Sequence, residues 1–344
     1  MTSIDLRSDT VTLPCEAMKK AMIEAPLGDD VIDIDPTLEL LQERTAEVLG
    51  KEAAIFMPSG TMTNQIAIRL HCQQGDEVIC EEGCHIYNYE QAGFAQLTGV
   101  VARPVSADDF KLTLEDVQDK IRPDNEHMAR TRLITIENTH NRGGGSILPI
   151  ENVEQITQWA SNNGLASHLD GARLFNAAVA SGIHAKKWSE GFDTVSICFS
   201  KGLGAPIGSA LAGTKEHIAA ARRHRKLMGG GMRQVGVIAS AALYALENNV
   251  DRLAEDHANA QLIAAAIASS HKLKLEPQNV DTNIVIFDVS KTGMNAAEFV
   301  EKLETLGVRT LPFSQRHVRV VTHLHISNQD AQKAADQILA CSGG

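Results

Sequence analysis

Aromatic side chains are scarce in this chain: of 344 residues three are tyrosine and two tryptophan, and aromatics make up 4% in all. Its core must therefore be packed mainly by Ala, Leu, Ile and Val, which a hydrophobic content of 43% supplies, so any cluster of rings stands out. Positive charge is also short. Thirty-two Lys and Arg against 43 Asp and Glu leave a net charge of -11, a field that repels phosphate backbones and argues against nucleic acid as a partner. The one basic run, RRHRK at 222–226, reads as the solvated face of a helix. None of the six cysteines stands in a CxxC pair, so reduced thiols in a cytoplasmic protein are expected, and no metal-ligand set is assigned. The opening MTSIDLRSDT has no apolar leader core, and no apolar run is long enough to cross a bilayer; no membrane association is expected. The phosphate loop GxxxxGK[ST] is absent, and GLGAPIG spaces its third glycine one residue too far for GxGxxG, so neither a nucleoside triphosphate nor a dinucleotide is indicated.

What is present is a regular alternation of helical and strand patterns. DPTLELLQERTAEVLG places Pro36 at a first helical position, Leu38, Leu41, Thr45 and Val48 on one stripe, and Gly50 as the stop. AAIFM, EVICEE, VVARPV, RLITIEN, LASHLD, TVSICFS and SALAGT read as strands, with helices such as NVEQITQWASNNG and RLFNAAVASG between them. That order predicts an α/β fold, with a mostly parallel sheet covered by helices on both faces. The length exceeds what one core usually supports, and the pattern changes near residue 250. We expect a large domain over 1–250, with 1–14 near the site, and a smaller α+β domain over 251–344.

In open α/β sheets a ligand sits beyond the carboxyl ends of the strands. There this chain delivers Ser59, Gly60 and Thr61 after AAIFM, His85 after EVICEE, Glu137, Asn138 and His140 from RLITIEN, Asp170, Gly171 and Arg173 from LASHLD, and Ser200 and Lys201 after TVSICFS. Each has an ordinary reading when taken alone. Ser-Gly-Thr is a common helix cap, Asp170 could cap the helix that follows it, and a lysine at a strand end is usually an exposed turn residue. Together they suit something more specific. A strand-to-helix turn with free amides and a hydroxyl suits a phosphate. A partly desolvated lysine amine attacks carbonyls, and a carboxylate can keep a pyridine nitrogen protonated. That set is what pyridoxal 5'-phosphate (PLP) requires. HIYNYE adds His85 followed by two of the three tyrosines, Tyr87 and Tyr89, suited to stacking on a flat ring.

From DLRSDTVT to VRVVTHL the sequence resembles the low-specificity L-threonine aldolases, whose fold is PLP fold type I, the aspartate aminotransferase type. The matching landmarks are PSGTMTN, HIYNYE, ENTHN, HLDGARLFNA, SICFSKGLGAPIGS and GGGMRQ. The resemblance implies that Lys201 bonds the cofactor, Asp170 partners its ring nitrogen and His85 stacks on the ring. Gly60, Thr61 and Ser200 would bind the cofactor, with Arg233 reaching the phosphate from a neighbouring subunit. Arg173 would reach cofactor and substrate, Ser8 and Arg319 would hold the amino-acid carboxylate, and His127 would lie near the substrate hydroxyl. A homotetramer with shared sites is implied. Two departures stand out: DDVIDIDP replaces the usual DDVYGEDP, and RGGGSILP makes a longer loop after ENTHN, read here as variable. The implied reaction is that of a carbon–carbon lyase, retro-aldol cleavage of L-threonine, L-allo-threonine and related β-hydroxy-α-amino acids to glycine and an aldehyde. The general base is left open between His85, His127 and a water. β-Elimination, racemisation or transamination on the same cofactor is the alternative.

Overall fold

The computed structural model describes residues 3–343. The chain starts with a short strand, β1 (Ile4–Asp5), and then supplies seven strands to one sheet: β2 (Ala53–Met57), β3 (Glu77–Glu81), β4 (Val101–Val105), β5 (Thr131–Glu137), β6 (Ala166–Gly171), β7 (Thr194–Cys198) and β8 (Ser209–Gly213). They run in the order β2-β8-β7-β6-β5-β3-β4, and β8 alone is antiparallel to its neighbours. The predicted mostly parallel sheet is therefore present, and the seven strand segments fall where the sequence placed them. Helices cover both faces, which is why strands such as β3, β7 and β8 are buried along their whole length rather than on alternate residues.

Local signals act as their chemistry requires. Pro36 opens a helix that runs to Leu49, Asp35 caps it by accepting from Leu38 N at 3.1 Å, and Gly50 ends it at φ +64°. Val48 departs from the predicted stripe: it is exposed, and Leu49 takes the place, because residues 38, 41, 45 and 49 follow the 3.6-residue period more closely.

Beyond the helix Leu253–Ser269 the strands β9 (Lys274–Leu275), β10 (Ile284–Asp288), β11 (Val308–Arg309), β12 (Leu311–Pro312) and β13 (His317–Val321) form a second layer. Four of them make an antiparallel sheet, β12-β13-β10-β9. Its core includes Val285, Phe287, Phe299, Val318 and Val320, and it also takes Ile4 and Leu6, because β1 pairs in parallel with β11. The N-terminal segment thus spans from this second core to the large sheet. HVRVVTHLHI is shorter as a strand than its pattern suggests: after Val321 the Thr322 hydroxyl donates to the Asp256 carbonyl at 2.6 Å, and the chain turns away. The loop read as variable is a docking element. Gly144 and Gly145 both sit at φ +70°, and a Cβ on Gly145 would lie 2.4 Å from Thr282 Oγ1. Among the described residues no helix is long and apolar enough to cross a membrane.

Candidate active site

Because β2 and β5–β7 are parallel, their carboxyl ends meet on one rim, and a cavity of about 170 Å³ opens there. Its wall carries Ser59, Gly60, Thr61, Asn64, His85, Glu137, Asn141, Asp170, Arg173, Ser200 and Lys201, besides apolar contacts. Seven residues singled out from the sequence (Gly60, Thr61, His85, Asp170, Arg173, Ser200 and Lys201) therefore converge in space from four different segments.

The phosphate-like cradle is the start of the helix Gly60–His71. Ser59 Oγ accepts from Met62 N at 3.2 Å, while the amides of Gly60 and Thr61 have no partner within the helix. Gly60 is needed for closeness: a Cβ there would lie 2.8 Å from Cys198 Sγ at the end of β7. Asp170 pairs in register with Glu137 of β5 and Ser196 of β7, so the strand that carries it lies next to the strand that ends before Lys201. It does not cap the next helix. It is buried, and it accepts from Asn64 Nδ2 at 2.8 Å and from Ala172 N at 3.2 Å.

His85 is half-buried at the head of a short helical turn. Its Nδ1 lies 2.9 Å from Glu90 Oε1, and its ring centroid is 5.5 Å from that of Tyr89. Burial alone would lower the histidine pKa, but the Glu90 bond, with Asp170 and Glu137 nearby, outweighs it and raises it. Arg173 is buried and held at two points by Asp9, through Nε at 2.8 Å and Nη2 at 2.7 Å. Burial works against the Asp9 charge, yet the Arg173 cation and its bonds prevail, so that carboxyl stays low.

Arg319 reaches over from β13, between the buried Val318 and Val320 on the opposite side of the strand. Its Nη1 donates to Asn141 Oδ1 at 3.1 Å and its Nη2 to the Arg7 carbonyl at 3.4 Å. Its buried Nε has no partner among the described residues. Burial, then the Arg173 charge, lowers its pKa, so an anion arriving here would be welcome to both guanidiniums. Ser8 does not line the cavity. Its Oγ caps the turn Asp9–Val11, accepting from Thr10 N at 3.2 Å.

Two expected residues lie elsewhere. Arg233 is 53% exposed and pairs with Asp29 at 3.3 Å, outside the cavity of its own chain. His127 precedes β5 and so sits at the amino end of the sheet, about 20 Å from the rim across the seven residues of that strand. Its side chain is 83% exposed, beside Glu126. The chain's own His127 is thus not part of this site, which corrects the expectation: adjacency in the motif said nothing about which end of the strand the loop would occupy. Conversely, Asp9, Asn64, Glu90 and Asn141 were not singled out. Asn64 and Glu90 lie in the motifs PSGTMTN and HIYNYE, one helical turn beyond Gly60 and five residues beyond His85. The helical period of the first was the available signal.

The family described as beta-eliminating lyase matches residues 5–292. The low specificity L-threonine aldolase of Escherichia coli (strain K12) is 43% identical over 333 residues, covering 96% of this chain and 97% of its own. The low-specificity L-threonine aldolase 1 of Arabidopsis thaliana is 41% identical over 335 residues, covering 96% and 94%. Among solved structures, the threonine aldolase of Leishmania major superposes with a TM-score of 0.83 at 19% identity, covering 98% of this chain and 99% of that one; this likeness establishes the fold.

Proposed function

Because the chain belongs to the β-eliminating lyase family, beside the low-specificity L-threonine aldolases, we propose that it cleaves L-threonine, L-allo-threonine and related β-hydroxy-α-amino acids to glycine and an aldehyde, using PLP. The observation that carries this reading is one cavity wall joining a lysine, a buried carboxylate, a histidine ring and an open helix start. The residues fit the cofactor. The Gly60 approach leaves bare amides for a phosphate, Asp170 is fixed by neutral donors that leave its charge for a ring N–H, and Arg319 keeps an orphaned Nε for a carboxylate. When bound, PLP supplies an electron-accepting ring that takes up the pair released as Cα–Cβ breaks.

The chain's own groups divide the remaining work. Lys201 would hold the cofactor through its amine, the group whose place a substrate amine would take. Asp170 keeps a proton on the ring nitrogen, and His85 lies on the ring face. Gly60, Thr61 and Ser200 take the phosphate, and Arg233 completes that site from a neighbouring subunit. Arg319 holds the α-carboxylate, with Ser8, next to the Arg7 carbonyl that Arg319 touches, completing the clamp; Arg173, fixed by Asp9, orients cofactor and substrate. The β-hydroxyl proton leaves to His85 or to a water that His85 holds. The condensation direction tests this assignment. Given glycine and acetaldehyde, the holoenzyme forms 2-amino-3-hydroxybutanoate, which an eliminating, racemising or transaminating enzyme does not; absence of this product contradicts the proposal.

The clamp gives a graded expectation. Losing a charge-assisted two-point contact costs about 1.5–3 kcal/mol, so Arg319→Ala lowers kcat/KM for L-allo-threonine by about ten- to a hundredfold or more while the cofactor's absorbance is retained. Arg319→Lys restores charge without the planar fork and recovers part of it. Unchanged kinetics in Arg319→Ala would place the carboxylate elsewhere.

We further propose a homotetramer, a dimer of dimers with shared sites. Arg233 and the Asp29–Asp35 loop are tied together at the surface, and Ile32 and Ile34 are 81% and 54% exposed there, an apolar display that suits burial against a second copy. Sedimentation should show a tetramer; a fully active monomer would refute shared sites. A cytoplasmic location suits the six free cysteines, five of them buried.

A further inference from the structure

Asn64 is buried in the cavity wall, and every polar atom of its amide is used. Nδ2 donates to Asp170 Oδ2 at 2.8 Å and to Glu90 Oε1 at 2.9 Å. The same Glu90 oxygen meets His85 Nδ1 at 2.9 Å, and Gln65 Nε2 donates to the other oxygen. Behind the amide, Asn64 Oδ1 lies 3.1 Å from His168 Nε2, and His168 Nδ1 lies 2.9 Å from Thr194 Oγ1. Burial pushes His168 down to about 4, so its ring is neutral at working pH. The carboxylates of Asp170 and Glu90 accept only, so the Asn64 nitrogen must face them and its oxygen faces His168 Nε2. The amide oxygen is therefore claimed from behind, and both amide hydrogens are left for the two carboxylates.

We propose that Asn64 is a positioning residue that ties the carboxylate under the cofactor's ring nitrogen to the carboxylate that orients His85, so that the ring-edge contact and the ring-face contact are set by one amide. The proposal rests on the PLP reading for the ring itself, but the cross-link belongs to the chain alone. Two carboxylates this close repel unless shared donors hold them, and a donor common to both fixes their relative geometry as well as their charge. Every polar atom of the Asn64 amide is already bonded within the protein. Asn64 acts through Asp170 and Glu90.

The test compares wild type with Asn64→Asp, which keeps the shape and removes both donors, and with Asn64→Ala. The measurements are the PLP dissociation constant of each protein, its Tm with and without PLP, kcat and KM of the loaded enzyme, and the His85 titration followed by NMR in the cofactor-free protein. The charged groups facing His85 are Glu90, Asp170 and Glu137, with Lys201 on the same cavity wall. Both variants should bind PLP at least tenfold more weakly and lose kcat at least tenfold with little change in KM; in Asn64→Ala, which adds no charge, the released Glu90 carboxylate lets the His85 pKa fall toward the ordinary value near about 6.5, whereas the carboxylate added in Asn64→Asp holds it up. The rise in Tm that PLP gives wild type should shrink in the variants. A purely structural Asn64 predicts a lower Tm by the same amount with and without PLP, with an unmoved His85 titration, and that result overturns the proposal. So does wild-type cofactor affinity in both variants. A wild type that binds no PLP refutes the functional reading instead, and the His85 titration still decides the cross-link.

Discussion

Lys201→Ala should lose cleavage of both threonine diastereomers by at least about a thousandfold, the largest effect of any single substitution at this site. Lys201 follows the fully buried strand β7, shares a wall with Asp170 and His85, and brings its amine to the rim where the open start of the helix Gly60–His71 also lies. No other lysine lines that cavity. In the proposed role, removing the amine would take away the covalent hold on the cofactor and the place where the substrate amine enters. Wild type reduced with borohydride should carry the cofactor on the peptide that contains Lys201, and the variant should carry none. A label on any other lysine, or a variant within tenfold of wild type, would remove the basis of the assignment.

Asp170→Asn should follow with a loss of about a hundred- to a thousandfold in kcat, the range found when one preorganised electrostatic contact is removed from a reacting site. The substitution keeps the shape but takes away the charge that, in the proposed role, would hold a proton on the ring nitrogen. It also sets an amide against Asn64 Nδ2 and Ala172 N, two donors that now serve the carboxylate. PLP should still bind, more weakly, because Lys201 and the Gly60–Thr61 cradle are untouched. Steady-state kinetics beside the cofactor's absorbance check this: kcat falls while KM changes little. A variant with wild-type kcat would mean that the ring nitrogen has another partner.

Much of this was legible because the fold rule is simple. Each parallel strand of the large sheet was visible as an apolar run, and the residue after each run must lie on a common rim, so Gly60, His85, Asp170, Ser200 and Lys201 could be placed together before any geometry was known. The resemblance misled where that rule was not applied. His127 lies before a strand, not after it, and a motif match carries no information about which end of the sheet a loop occupies. Asp9 was hidden for a different reason. Its partner Arg173 is 164 residues away, and the contact depends on the N-terminal segment crossing from β1, in the second core, to the large sheet. Nothing periodic in SDT announces that path. Asn64 and Glu90 were hidden by their neighbours, since an Asn one turn into a helix reads as an ordinary polar position until the carboxylates beside it are seen. The loop RGGGSILP reads as variable because it is longer than the family pattern. Here Gly144 and Gly145 are required where the backbone runs against Pro277 and Thr282.

The central claim is that this rim breaks the Cα–Cβ bond of a β-hydroxy-α-amino acid. It is tested most directly by incubating the purified, PLP-loaded protein with L-threonine and with L-allo-threonine and measuring products from each. The account predicts glycine and acetaldehyde in equal amounts from at least one of the two, with none from Lys201→Ala. Formation of 2-oxobutanoate and ammonia without acetaldehyde would contradict it, because those products arise from elimination across Cα and Cβ and leave that bond intact.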